Sequence, residues 1–242
     1  MEAGRLVGTV TAVQRFPVKS MAVDPVQGIR LLGRGLEGDR QFAFLKSNNH
    51  TRFPWLTARD VPSLILYRAA FLDPTDLRRS KVGVLSPDGT DYDLEDPLLA
   101  SELAELAGEP VQLLEMGRGA FDDAPVSVIT TSTMAHLAAS HGGAIDVARF
   151  RANIVIEPTD AKIRERDWLG GMLTFGDDPA PARLRADTPI ARCAMITLDP
   201  GTARKDVSIM RTVARKFANQ IGVYGEPQAP GMIRPGMPVY WR

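Results

Sequence analysis

One cysteine, Cys193, occurs in this 242-residue chain, inside the stretch Pro189-Ile190-Ala191-Arg192-Cys193-Ala194-Met195-Ile196-Thr197-Leu198-Asp199-Pro200-Gly201-Thr202. With no second thiol, an internal disulfide, a multi-cysteine zinc site and a four-cysteine iron-sulfur cluster are excluded. Any chemistry at this sulfur is done by one thiol. The stretch predicts a strand ending in a type II turn at Asp199-Pro200-Gly201-Thr202, with Pro200 presetting φ and Gly201 taking φ > 0. On that strand Cys193, Met195 and Thr197 share one face, and Ala194, Ile196 and Leu198 the other. A thiol and a hydroxyl then stand together beside Arg192. Free cysteine is also among the most buried residue types, so the same spacing fits a sulfur packed as a small hydrophobe.

A second group of polar residues sits in Arg149-Phe150-Arg151-Ala152-Asn153-Ile154-Val155-Ile156. Read as a strand, it places Arg149, Arg151 and Asn153 on one face and Phe150, Ala152 and Ile154 on the other. That face is either a built polar site or a solvated sheet surface. A third candidate is Thr130-Thr131-Ser132, at the start of a predicted helix carrying Met134, Leu137, Ala138 and His141 and stopped by Gly142-Gly143. Free amides at a helix start suit an anion, and the same residues also serve as a plain cap.

These groups need a frame. Leu6 to Phe16, Val26 to Leu32, Phe42 to Leu45, Val111 to Leu114, Val126 to Ile129, Asn219 to Tyr224 and Met237 to Trp241 read as strands. Pro87-Asp88-Gly89 reads as a hairpin turn. Asp96-Pro97 opens a helix over 98–107 that Gly108 ends, and Asp206 caps another over 207–217 with Ile209, Val213 and Phe217 on its apolar face. The fold class expected is mixed α+β, mainly β. Gly117-Arg118-Gly119 is the most linker-like patch and predicts two domains, 1–117 and 118–242.

Composition narrows the function. Lys+Arg and Asp+Glu are both 29, so bulk charge attracts neither nucleic acid nor an acidic membrane, and any anion site must be local. The start of the chain has no apolar signal core and no stretch reaches the ~18 apolar residues of a membrane span, which leads to the expectation of a cytoplasmic protein. His50, His136 and His141 form no zinc motif, and no phosphate-binding glycine loop or nucleophile elbow occurs.

Pro-Ile-x-Arg-Cys-x-Met-x-Thr-x-Asp-Pro around Cys193 resembles the signature of the MOSC domain, found in molybdenum cofactor sulfurases and in amidoxime-reducing molybdoenzymes. Arg149 to Val155 resembles that family's Arg-Phe-Arg-x-Asn-Ile-Val segment. Arg15 to Ser20, Gly35 to Arg40 and Thr57-Ala58-Arg59 resemble three motifs of the β-barrel domain that precedes many MOSC domains. Ala203 stands where the family usually has glycine, and Met237 where an acidic residue is common.

The resemblance implies an N-terminal β-barrel-like domain followed by a MOSC β-barrel domain with a few helices, and a molybdenum cofactor (Mo-molybdopterin) bound between them. It makes Cys193 the thiolate ligand to the metal, a role that suits a soft sulfur. Lys19, Ser20, Arg40, Thr57, Arg59, Thr130, Thr131, Ser132, Arg149, Arg151, Asn153 and Arg192 become cofactor-binding residues. Lysine offers a point charge to phosphate and arginine a planar fork. Asp160 becomes either a proton donor near the metal or an exposed loop aspartate. The implied activity is an oxidoreductase that reduces a small N-hydroxylated substrate by oxygen-atom transfer. Its electrons come from an external donor protein, a flavin or iron-sulfur reductase, since one cysteine cannot hold a cluster here. The alternative is a carrier for the cofactor, or for sulfur on Cys193.

Overall fold

A computed structural model describes residues 4–242. In chain order its strands are β1 (Arg5–Arg15), β2 (Asp24–Val26), β3 (Ile29–Leu32), β4 (Gly35–Leu36), β5 (Phe42–Lys46), β6 (Arg68–Phe71), β7 (Val82–Leu85), β8 (Asp91–Asp93) and β9 (Val111–Glu115). The later strands are β10 (Val126–Thr130), β11 (Ile154–Pro158), β12 (Met172–Phe175), β13 (Ala182–Ala191), β14 (Gln220–Ala229), β15 (Gly231–Ile233) and β16 (Pro238–Trp241). Three α-helices intervene: α1 (Pro97–Ala107), α2 (Thr131–His141) and α3 (Val207–Lys216). The architecture is mixed α+β and mainly β, as expected.

Seven strands close into a barrel in the order β11-β10-β14-β13-β12-β16-β1, with β1 returning to β11 and β2 hanging from its far end. Closure leaves no free barrel edge. The barrel is filled by Val7, Val10, Val128, Ile154, Ile156, Leu173, Phe175, Leu184, Val223 and Val239. Strand β10 is buried at every position. Val128 faces the barrel interior, while Ile129 packs outward with Leu137 of α2 and with Ile209 and Val213 of α3. A strand covered on both faces loses the alternation of a half-solvated one.

The closing strand comes from the opposite end of the chain. Val10 of β1 pairs with Ile156 and Thr9 with Pro238. At Gly8 the backbones run so close that a Cβ would lie 2.5 Å from the Glu157 carbonyl oxygen. Likewise β3 pairs with β15. Val7, Val10, Val13, Ile29, Leu31 and Leu36 belong to the barrel core, and a second core gathers residues from Val18 to Leu103 with Leu198. That core holds Phe44, Leu56, Leu64, Tyr67, Leu99 and Leu103 between the β5–β9 ribbon, the β6-β7-β8 meander and α1.

Local signals end the helices where residue chemistry places them. The Asp96 carboxylate accepts from the Leu98 amide, Pro97 takes the first turn, and Gly108 closes α1 at φ +71°. Asp206 caps α3 by accepting from Ser208. Helix α2 begins at Thr131, with Thr130 as its cap. The strand expected over 26–32 is split by a turn between β2 and β3.

Two strand assignments near the chemistry are corrected. Strand β13 ends at Ala191, and Ala194–Thr197 forms a 3₁₀ turn with Cys193 at its start. Val147–Phe150 is a second 3₁₀ turn, and Arg151 follows at φ +51° before β11 begins. Alternating apolar residues fit a short helical turn as well as a strand, and these turns cover their apolar residues through packing against neighbours distant in sequence. The expected type II turn is also absent: the left-handed residue is Ala203 at φ +56°, not Gly201. Its amide donates to the Asp199 carbonyl at 2.8 Å.

Candidate functional site

A cavity of about 440 Å³ opens where the barrel meets the second core. Its wall includes Lys19, Ser20, Arg40, Thr57 and Arg59 from the first half and Arg149, Arg151, Asn153, Arg192 and Cys193 from the second. The turns described above, rather than strand faces, bring these residues together.

The wall is strongly cationic, and its charges are braced. Arg40 and Arg151 lie on the ring of Phe16, their guanidinium carbons 4.8 Å and 4.2 Å from its centroid. Arg40 donates to Asp39 at 2.5 Å and to the Arg151 carbonyl at 3.1 Å. Arg151 donates through Nη1 to the Met21 carbonyl at 2.6 Å. Ser20, Arg40 and Arg151 all hold positive φ, at +67°, +48° and +51°. Such backbone costs of order 1 kcal/mol or more at a non-glycine residue and persists where surrounding contacts over-determine it, most often at functional sites.

Two buried nitrogens of residues in this wall have no hydrogen-bond partner among the described residues. Arg192 donates through Nε to the Ile221 carbonyl at 2.7 Å and through Nη1 to the Phe150 carbonyl at 2.8 Å. Its Nη2, like Nη2 of Arg151, is buried and unpaired. Burial drives the pKa of Arg151 down to about 9, with Arg40 beside it acting in the same direction, and that of Arg192 down to about 10. Both stay charged at neutral pH. A buried, unpaired guanidinium N–H forfeits of order 1–3 kcal/mol, more for charged groups, which an anionic acceptor would return. The residue chemistry thus fits a phosphate-bearing group.

Lys19 is 6% exposed. Its ammonium donates to the Ala120 carbonyl at 2.7 Å and to Asp122 at 2.6 Å, and lies 5.1 Å from the Phe53 ring centroid. Burial lowers its pKa against the opposing pull of Asp122. Arg59 is exposed, and its guanidinium carbon lies over the same Phe53 ring, 4.9 Å from the centroid. Cys193 is a free, exposed thiol on the cavity wall. The reading of a sulfur sealed in the core does not hold.

Other expected residues take different parts. Arg149 reaches the wall but donates to the Thr197 carbonyl at 3.1 Å and to Asp199 at 2.8 Å, so it holds the turn after Cys193. Asn153 is 1% exposed and clasps strands: its Oδ1 accepts from the Ser127 amide and hydroxyl, and its Nδ2 donates to the Gln14 carbonyl. Thr57 donates to Asp60 at 2.8 Å.

Thr130, Thr131 and Ser132 do not line the cavity, and Thr130 serves as the helix cap. The Glu165 carboxylate, 3% exposed, accepts from the Thr130 amide at 3.1 Å, from the Thr130 and Thr133 hydroxyls at 2.6 Å each, and from the Gly222 amide at 2.8 Å. Ser132 donates to the Ile163 carbonyl. The helix start already has its anion, supplied by the protein. Asp160 is exposed on a turn, accepts from the Lys162 amide at 2.8 Å, and is not part of the wall, as the loop reading of this residue has it.

Sequence reasoning missed Phe53, Asp122, Asp123 and Tyr224, which also line the cavity. Asp122 carried a signal, since it opens the Asp-x-x-Pro that leads into β10. Among the described residues no cluster of three or more metal-binding His, Cys, Asp or Glu side chains occurs, and no helix is long and apolar enough to cross a membrane.

Comparison with known proteins bears on this geometry. A family model described as MOSC domain matches residues 114–240, slightly more than half of the chain. A molybdenum cofactor sulfurase of Anopheles gambiae is 32% identical over 80 residues, and molybdenum cofactor sulfurase 3 of Aedes aegypti is 35% identical over 83. Each alignment covers 32% of this chain and 10% of the relative, so this chain matches about a tenth of their length. Among solved structures, the YuaD protein from Bacillus subtilis superposes with a TM-score of 0.52 at 13% identity, covering 99% of this chain and 98% of that one, a likeness of fold.

Proposed function

Because the chain belongs to the MOSC domain family, we propose that its cavity binds the molybdenum cofactor, with Cys193 as the protein's ligand to the metal, and that the protein is a molybdenum-dependent oxidoreductase. The observation that carries this reading is the exposed thiol of Cys193 on the same wall as Arg151 and Arg192, each with a buried unpaired Nη2. Lys19, Arg40, Arg151 and Arg192 would hold the anionic tail of the pterin. Ser20, Thr57 and Arg59 border the same space and would orient it.

When bound, the cofactor supplies two-electron oxygen-atom transfer, and we propose reduction of N-hydroxylated compounds as its use here. The chain's own part is positional. The 3₁₀ turn fixes the sulfur at the cavity wall, and Arg149 pins that turn through Thr197 and Asp199. The cavity is open, which suits access for a small substrate and for an external flavin or iron-sulfur donor protein.

Reduction of a hydroxylamine or an amidoxime by the purified protein with an artificial electron donor tests the activity. Turnover lost in Cys193→Ser supports it; full turnover by metal-analysed Cys193→Ser removes the ligand role. The exposure of Cys193, together with relatives named as molybdenum cofactor sulfurases, favours a second reading, a carrier of cofactor or of sulfur on this thiol. Transfer of cofactor to an apo-enzyme without turnover would select it.

A further inference from the structure

Against its many cations, the cavity wall contributes two carboxylates, Asp122 and Asp123, both on the segment that leads into β10. This segment is tied at its start: the Ala120 amide donates to the Arg40 carbonyl at 2.8 Å, and the Ala120 carbonyl accepts from Lys19. From Phe121 to Pro125 no backbone hydrogen bond is made among the described residues. Phe121 and the buried Pro125 pack on Gly35, and between them Asp122 meets Lys19, with its side chain 57% exposed while that of Lys19 is 6% exposed.

That asymmetry has a physical consequence. Lys19 cannot leave: its stem is buried, and its ammonium is fixed by a carbonyl and an aromatic ring. The Asp122 side chain can turn away, because it gains water on release, while Phe121 and buried Pro125 stay packed on Gly35. A phosphate entering the cavity would meet the same ammonium with more charge and more acceptor oxygens than one carboxylate offers.

We propose that Asp122 is a resident counter-ion whose side chain an incoming anionic ligand displaces from Lys19, so that Asp122 competes with the ligand for the cavity. This inference rests on the proposed anion-binding role of the cavity and deepens it by assigning what occupies Lys19 before the ligand does. Electrostatics agree: burial alone would raise the pKa of Asp122, yet Lys19, with Arg40 and Arg59, holds it below the ordinary carboxylate range. Such an internal anion keeps a densely cationic cavity assembled when empty, and it weakens the binding of any anion too small to engage the whole wall.

Titration calorimetry with inorganic phosphate on the full chain tests this without reference to turnover. Asp122→Asn keeps size and polarity and removes the charge, and it is expected to bind phosphate about tenfold more tightly than the unsubstituted chain. Asp122→Ser, which shortens the side chain as well, should do the same. Equal or weaker phosphate binding in both variants, with the unsubstituted chain binding, overturns the displacement while leaving the anion site standing. Failure of all three chains to bind phosphate would remove the anion site itself, and the inference with it.

Discussion

Nη2 of Arg149 lies 2.8 Å from Oδ2 of Asp199, so an arginine at the edge of the cavity holds the far end of the turn that carries Cys193. With its second bond to the Thr197 carbonyl, this side chain fixes the sulfur's position from a segment more than forty residues away in sequence. The arginine acts on the site through the turn.

Arg149→Met should therefore cost about 1–2 kcal/mol in chemical denaturation, since two charge-assisted bonds are lost and Asp199 is partly screened by water. It should also raise the rate at which a disulfide reagent labels Cys193, by loosening the turn. Unchanged stability together with an unchanged labelling rate would show that the contact positions nothing.

Three carboxylates predict the acid limit. Asp199 is held below its ordinary range, first by the Thr202 hydroxyl, with burial opposing and the Gly201 amide and Arg149 assisting. For Asp60 and Asp122 burial alone would act upward, and is outweighed by Lys46 and Thr57 and by Lys19, respectively. A folded pKa below the unfolded one contributes stability that is present above the unfolded value, about 3.9, and is lost as pH falls through the folded value. Urea midpoints should accordingly hold from pH 7 to about 5 and decline below about pH 4, and Asp199→Asn should make that decline shallower. A decline no shallower in the variant would contradict the assignment.

Gly222 is the close approach behind Arg192. At φ +81°, a Cβ there would lie 2.7 Å from Nη2 of Arg192 and 3.0 Å from the Val128 carbonyl oxygen. Gly222→Ala is expected to destabilise by about 2 kcal/mol or more, from left-handed strain plus the clash, and to weaken phosphate binding by shifting the guanidinium. Wild-type stability in that variant would mean that the guanidinium moves freely and is not pre-set.

Glu165 offers a contrast between charge and shape. Glu165→Ala leaves the amides of Thr130 and Gly222 and two hydroxyls without their acceptor, and should cost about 3 kcal/mol or more. Glu165→Gln keeps acceptor oxygen on one side only and should fall between. If both variants unfold at the wild-type denaturant midpoint, the helix start does not depend on this carboxylate.

What the sequence discloses and what it conceals divide along the range of the interactions. The caps of α1 and α3 are legible because Asp96, Pro97, Gly108 and Asp206 act within a few residues of themselves. The cavity's Lys19, Arg40, Arg151 and Cys193 are legible through motif resemblance, while their arrangement is not: it depends on left-handed residues Ser20, Arg40 and Arg151, which no propensity assigns to those types. Thr130 to Ser132 read as an open anion site because Glu165, their partner, is more than thirty residues on. Strand β1 reads as part of a first domain, because nothing local announces its pairing with Ile156 and Pro238. The 3₁₀ turns at Ala194 and Val147 carry strand-like patterns for the same reason: tertiary contacts decide which face is buried.

The most direct test of the cavity as a molybdenum cofactor site is joint molybdenum and pterin quantification on protein purified from a cofactor-producing host, for the unsubstituted chain, Cys193→Ser and Arg151→Met. The account predicts molybdenum and pterin together in the unsubstituted chain, pterin largely retained with molybdenum reduced in Cys193→Ser, and both lost in Arg151→Met. Neither molybdenum nor pterin in the unsubstituted chain, or equal amounts of both in all three, would contradict it.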